Sequence, residues 1–205
     1  MNKAVAHILK EQLTGLPLIE KVAGLVQVAE YQETVYDDNG VPTTYTKRIL
    51  LSQDVQYDKG CENTDLVPDD NKTGFLYFED GGTTGLSLRR ISSRYRSKLR
   101  LVVWLNPKRT YQQNYNVVPV LLAHCINRVQ ALNGTNVGLF QGIRVTIDGL
   151  PKQDKNIFAP YTYDHFNTGF ILPPYEYFAI DLSMEYTISI KEDCIPDLIT
   201  DEIIC

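Results

Sequence analysis

Between residues 81 and 147 the chain carries no aspartate and no glutamate, but 10 lysines and arginines. The flanks are the reverse: residues 1–80 hold 7 basic and 14 acidic side chains, and residues 148–205 hold 3 and 11. The net charge of −5 over 205 residues hides this segregation. Charge of one sign gathered in one region favours a partner of the other sign, either a nucleic-acid backbone or an acidic surface of another subunit. Long apolar runs are also missing. None approaches the roughly eighteen residues of a membrane-crossing helix, so no membrane partner is expected. The N-terminal MNKAVAHILKEQLTG has charges on both sides of its apolar residues and does not read as a secretory signal. Cys61, Cys125, Cys194 and Cys205 share no C-x-x-C spacing. They read as reduced thiols of a cytosolic product rather than as a disulfide framework.

The usual constellations of catalysis are absent too. Histidines are few and far apart, at His7, His124 and His165, and two of them fall on expected helices. No H-E-x-x-H, paired cysteines or EF-hand loop supports a metal site, and no cofactor is expected. Gly81-Gly82-Thr83-Thr84-Gly85 has the glycines of a phosphate loop but not its Gly-Lys-Ser/Thr ending, so a turn is the plainer reading. Neither G-x-S-x-G nor a cysteine nucleophile motif occurs. Asp148, Gln153 and Lys155 resemble the scattered carboxylate–lysine set of a nuclease, but Asp148-Gly149 is better explained as a strand-ending turn. The expectation is that the chain is not an enzyme; a nuclease is the remote alternative.

What is present is alternation. In YFAIDLSMEYTISIK, residues 177–191, every second residue from Phe178 is apolar, and the intervening ones include Asp181, Ser183, Glu185 and Thr187. Successive strand residues face opposite ways, so this is a long strand with one dry and one wet face. At roughly 3.3 Å per residue it reaches about 40 Å, beyond the usual five or six residues. Val5, Ile8, Leu9 and Leu13 fall at helical spacing, with Asn2 placed to cap. Residues 25–51 read as a hairpin around Asn39-Gly40 whose arms turn polar toward the tip, so it protrudes. Residues 52–74 form an acidic loop. A short strand at 75–78, a glycine-rich turn at 79–87, a strand at 98–105, a helix over 117–132 and a strand around Ile143, Val145 and Ile147 follow. The sum is one α+β domain spanning 1–205. Its mostly antiparallel sheet has about six or seven strands and two main helices.

The basic segment RRISSRYRSKLRL holds Arg89, Arg90, Arg94, Arg96, Lys98 and Arg100. The last four share one parity. If the strand extends back this far they project as a basic stripe from one face, a contact for DNA or for a subunit. The plainer alternative is a solvated face whose charges meet the acidic loops of the same chain. No helix-turn-helix or zinc finger accompanies the stripe, so phosphate contact would be non-specific. After Lys191 comes EDCIPDLITDEIIC, in which Ile195, Leu198 and Ile199 form an apolar stripe among acidic residues. This C-terminal segment, 192–205, reads as an arm that docks on its own or a neighbouring subunit.

The order of these elements resembles the head–tail connector proteins of tailed bacteriophages, the tail-completion, tail-terminator and neck ring proteins. The resemblance rests on the amphipathic helix, the protruding hairpin, the strand KLRLVVWLNP, the helix VVPVLLAHCINRVQALNG, GIRVTID and the long YFAIDLSMEYTISI. The neck rings of short-tailed, crAss-like phages are one home for such a chain. The resemblance implies a structural virion protein of the neck or tail, assembled in the host cytoplasm into a homo-oligomeric ring of six or twelve subunits. Such a ring joins the portal or connector to the tail, contacts adjacent portal, ring or tail proteins, and surrounds the channel through which DNA is ejected. Contact with channel DNA would be non-specific, and a plain non-specific DNA-binding protein is the alternative. No catalytic or binding residues carry over. The interface is expected on the polar face of the long strand, Asp181, Ser183 and Glu185, and on the arm residues Ile195, Leu198 and Ile199.

Overall fold

Helical spacing of Val5, Leu9 and Leu13 produces α1 (Asn2–Leu13), with those side chains fully buried. The computed structural model describes residues 1–52, 66, 68, 70–88, 92–109, 117–150, 155–158 and 174–189. Asn2 does not cap α1. Met1 occupies the N-cap without a side-chain bond, and the Asn2 side chain instead donates to Asp80 and accepts from Thr83. It ties the helix start to the sheet.

Six strands follow: β1 (Lys21–Tyr36), β2 (Pro42–Ser52), β3 (Gly74–Ser87), β4 (Ser92–Leu105), β5 (Phe140–Gly149) and β6 (Glu176–Ser189). Helix α2 (Val118–Gln130) lies between β4 and β5. The strand order is β2-β1-β3-β4-β6-β5, antiparallel throughout except for β1 beside β3. The fold is thus α+β, with two helices and a mostly antiparallel sheet whose first two strands form a hairpin. The hairpin turn is built by Asp37, whose Oδ1 accepts from the amides of Asn39 at 2.9 Å and Val41 at 2.8 Å. Gly40 takes the positive φ of 75° that the turn requires.

Strand β3 departs from expectation. Residues 79–87 do not reverse the chain but continue the strand to Ser87. The β3–β4 register shifts between Asp80 and Thr83, and Gly82 has a φ of 89°. The glycines therefore make a bulge, which absorbs an extra residue without ending the ladder. Gly81 lies so close to β4 that a Cβ there would sit 2.9 Å from the Lys98 carbonyl oxygen. Its partner β4 starts earlier than the apolar core of the motif, at Ser92, so the basic residues from Arg94 onward are on a strand.

Both helices lie on one face of the sheet. α1 packs on β1, β3 and β4, α2 on β5 and β6, and the helices touch each other. Beneath them lie Leu76, Phe78, Leu101, Val103, Ile180, Leu182 and Met184, all essentially without exposure. Cys125 of α2 is buried in this core, and burial pushes its thiol up to about 12. At pH 8.5 alkylation of Cys125 in the folded chain should be roughly a thousandfold slower than that of an exposed thiol. Peptide mapping after iodoacetamide treatment, with and without denaturant, checks this. Rapid labelling in the folded chain would contradict it.

The opposite face is dry at one end only. Phe75, Tyr77, Val102, Trp104 and Ala179 form a second buried cluster with Leu66, Ile157, Phe158 and Tyr175. The long strand β6 is consequently buried on both sides over Phe178–Ile180 and again over Leu182–Met184, and Asp181, Glu185 and Thr187 are half-buried rather than exposed. The alternation in residues 177–191 predicts one wet face along the whole strand, and the second cluster and the neighbouring strands cover it instead. The short 3-10 turn Lys155–Phe158 supplies part of the extra cover.

Candidate functional site

Beyond the second cluster the helix-free face is charged. Strand pairing places Arg94 opposite Thr187, Arg96 opposite Glu185, Lys98 opposite Ser183 and Arg100 opposite Asp181. The basic stripe of β4 and the polar stripe of β6 are therefore two columns of one surface. On the far side of β6, Arg144 stands opposite Glu185 and Thr146 opposite Ser183. On the near side of β4, Glu79 stands opposite Arg100.

The charges meet within the chain. Glu185 accepts from both Arg94 and Arg96, with Arg96 Nε at 2.9 Å. Arg100 Nε donates to Asp181 Oδ1 at 2.6 Å. Hydrogen bonds from Arg96 and then from Arg94 hold the Glu185 carboxyl below its ordinary value. Glu185 is 14% exposed, whereas its two arginines are 52% and 43% exposed. The carboxylate is the anchored member, and the guanidinium heads lie over it. One carboxylate serves two guanidinium groups, so this end of the face retains positive charge. Lys98 adds to it, being exposed and without an ion pair among the described residues. Ser183 is buried and donates to Asp148 Oδ1 at 3.2 Å. Thus Asp181, Ser183 and Glu185 do come together with Arg94, Arg96, Lys98 and Arg100. Arg89, Arg90, Ile195, Leu198 and Ile199 lie outside the described residues, as do the arm 192–205 and most of the acidic loop 52–74.

Asp148 is on β5 and Lys155 begins the 3-10 turn, while Gln153 and His165 are outside the described residues. Among the described residues no group of three or more His, Cys, Asp and Glu side chains is placed to hold a metal ion. No described helix is long and apolar enough to cross a membrane. A polar trio that sequence reading missed does form. Tyr175 donates to Asp70, Lys108 Nζ donates to the Tyr175 hydroxyl at 2.9 Å, and the same ammonium lies 4.6 Å from the ring centre. The bond from Tyr175 lowers the Asp70 carboxyl, and the bond to Tyr175 raises Lys108. With Asn106, whose Nδ2 donates to the Asp70 carbonyl at 3.2 Å, the trio pins residues 70–73 to the end of β4. Residues so distant in sequence leave no local signal of such a contact.

The most exposed feature is the hairpin. The β1–β3 ladder ends at Leu25 opposite Phe78. From residue 26 to Tyr36, β2 is the one strand beside β1 among the described residues. This two-stranded ribbon exposes Val28, Val35, Tyr36, Val41 and Tyr45, each above 40%. Compared with known proteins, the chain matches no family model and no curated sequence.

Proposed function

We propose that the chain is a structural virion protein, a subunit of a ring in the neck or tail of a bacteriophage, joining the portal or connector to the tail around the DNA channel. The carrying observation is the β1–β2 ribbon. An isolated pair of strands is marginal in water, and stability usually requires a third strand or a covering element. Here the ribbon extends past the last pairing with β3 and presents large apolar side chains on the way to its tip. Such an arm is supported when another molecule lies against it. Assembly of identical subunits would place the polar face of β4 and β6 either along the lumen or against a neighbour.

The charged face favours a structural role over a DNA track. Phosphate binding draws on cations able to displace counterions. Arg94, Arg96 and Arg100 are already engaged by Glu185 and Asp181. The isolated subunit should therefore bind DNA weakly, with a shallow salt dependence, and should show no divalent-metal-dependent cleavage. Class averages of the purified chain by electron microscopy test the proposal. Closed rings of six or twelve subunits are expected. Single subunits at every concentration, together with steeply salt-dependent DNA binding, would transfer the chain to the non-specific DNA-binding class.

A further inference from the structure

The sheet has two free edges of different character beside its ribbon. β5 is the outermost strand on one side, and its outward groups are occupied. Gly134 donates to the Ile143 carbonyl at 2.8 Å, the Ile143 amide donates to Thr135 at 3.1 Å, and the Val145 amide donates to Asn133 Oδ1 at 2.6 Å. This edge is closed against strand addition over its middle. The other edge is internal. After Phe78, β3 loses β1 and continues to Ser87 with β4 as its one partner among the described residues. Residues 80–87 are exposed throughout. After Asp80 the run is Gly-Gly-Thr-Thr-Gly-Leu-Ser, without proline, lysine or arginine. Proline, charges, bulges and covering segments are the usual guards of an edge; among the described residues this one carries two register shifts, between Asp80 and Thr83 and between Gly85 and Ser87, but no proline, charge or covering strand after Asp80.

We infer that the ribbon of a second copy fills this edge, with β2 of one subunit pairing along residues 82–87 of β3 in the next. This rests on the homo-oligomeric reading above and names the contact that would build it. Three observations select a second copy as occupant. Among the described residues its β2 has β1 on one side and no strand on the other, and residues 43–46, Thr-Thr-Tyr-Thr, are as free of charge as the β3 edge. Exposed apolar groups occur on both surfaces, Tyr36, Val41 and Tyr45 on the ribbon and Leu86 and Leu88 at the end of β3. The charges are complementary. Asp37 and Asp38 form the ribbon turn, while Ser87 lies opposite Arg94, beside the face where Arg94 and Arg96 share a single carboxylate. Acidic turn toward Arg94 makes β2 run antiparallel to β3, the same sense in which β3 pairs with β4. The two surfaces are unlike and lie on one chain, so the contact is head-to-tail, the kind that closes rings. Main-chain bonds would supply affinity, and the apolar and charged groups register.

Two kinds of variant separate donor from acceptor. In one, residues 30–47 are replaced by Asn-Gly, which removes the ribbon and keeps its base. In the other, Thr84→Pro and Gly85→Pro are made singly. Successive amides of a strand point to opposite sides, so one of these proline variants removes an outward donor and spares the ladder to β4. Sedimentation velocity should show the wild type assembled, and the ribbon-less chain and the outward-donor proline variant folded but at least tenfold weaker in self-association. A 1:1 mixture of those two should give a heterodimer and nothing larger, because only one intact pair of surfaces remains. Hydrogen exchange of the wild type should show residues 82–87 protected in the assembly and open in the dissociated subunit, a readout that stands even where neither proline variant folds. A ribbon-less chain that assembles like the wild type, or equal exchange of residues 82–87 in both states, overturns this inference alone. A wild type that stays monomeric overturns the ring reading and this inference together.

Discussion

Trp104→Ala will destabilise the subunit by about 3–5 kcal/mol, the cost of deleting a large aromatic side chain from a core that cannot collapse around the void. Trp104 is the only tryptophan and has no exposure. It stands opposite Phe75 on one side and Tyr177 on the other, and its ring stacks on Phe75 at 5.4 Å and on Tyr175 at 5.6 Å. These contacts hold together the cluster on the helix-free face, where a single layer of side chains from the sheet meets Ile157, Phe158 and Tyr175. For a chain of this size the loss corresponds to a fall of roughly 6–20 °C in Tm. Thermal unfolding followed by circular dichroism is the measurement, since the substitution removes the fluorescent probe itself. Trp104→Phe keeps a ring between Phe75 and Tyr175 and should lose less than half as much. A fall below about 1 kcal/mol for the alanine variant would mean that the second cluster is not a core.

The next largest effect is expected at Glu185. Glu185→Gln will cost about 1–2 kcal/mol at pH 7, because charge-assisted hydrogen bonds from Arg96 and Arg94 become weaker ones and two guanidinium groups are left facing each other. The exposure of both arginine heads keeps the figure toward the low end of such values. The pH dependence carries a definite sign. The folded-state value of Glu185 is depressed below 4.5. Its contribution is therefore complete above pH 4.5 and is lost as pH falls through the folded value. The stability difference between wild type and Glu185→Gln should be constant from pH 6 to 8 and should shrink below pH 4.5. Urea titrations at these pH values would reveal it. A difference that grows on acidification would contradict the ion-pair geometry.

Much of this fold is legible in local pattern. The period of 3.6 in residues 2–13 survives as α1, which buries one continuous face, and the period of two in residues 177–189 marks β6 as a strand, although β6 is buried on both sides over Phe178–Ile180 and Leu182–Met184. Asn39-Gly40 announces the hairpin through the positive φ that Gly40 adopts. The run through Gly81 and Gly82 misleads, since glycine marks bulges as readily as turns and only the presence of β4 alongside decides. Pairing is where local reading ends. Arg94, Arg96, Lys98 and Arg100 share a parity, and so do Asp181, Ser183, Glu185 and Thr187. Nothing near either run says that β4 and β6 are neighbours, so the stripe reads as free positive charge when two carboxylates across the strand boundary engage three of its four cations. The second cluster was hidden for the same reason: Leu66, Ile157 and Tyr175 come from segments without periodicity and meet only in the folded chain.

Molar mass by light scattering on the purified chain, across a range of concentrations, bears most directly on the proposal that this is a ring-forming subunit. A species of six or twelve times the 23.3 kDa chain is expected, in mass balance with free subunit. A single mass of 23.3 kDa under every condition would contradict it.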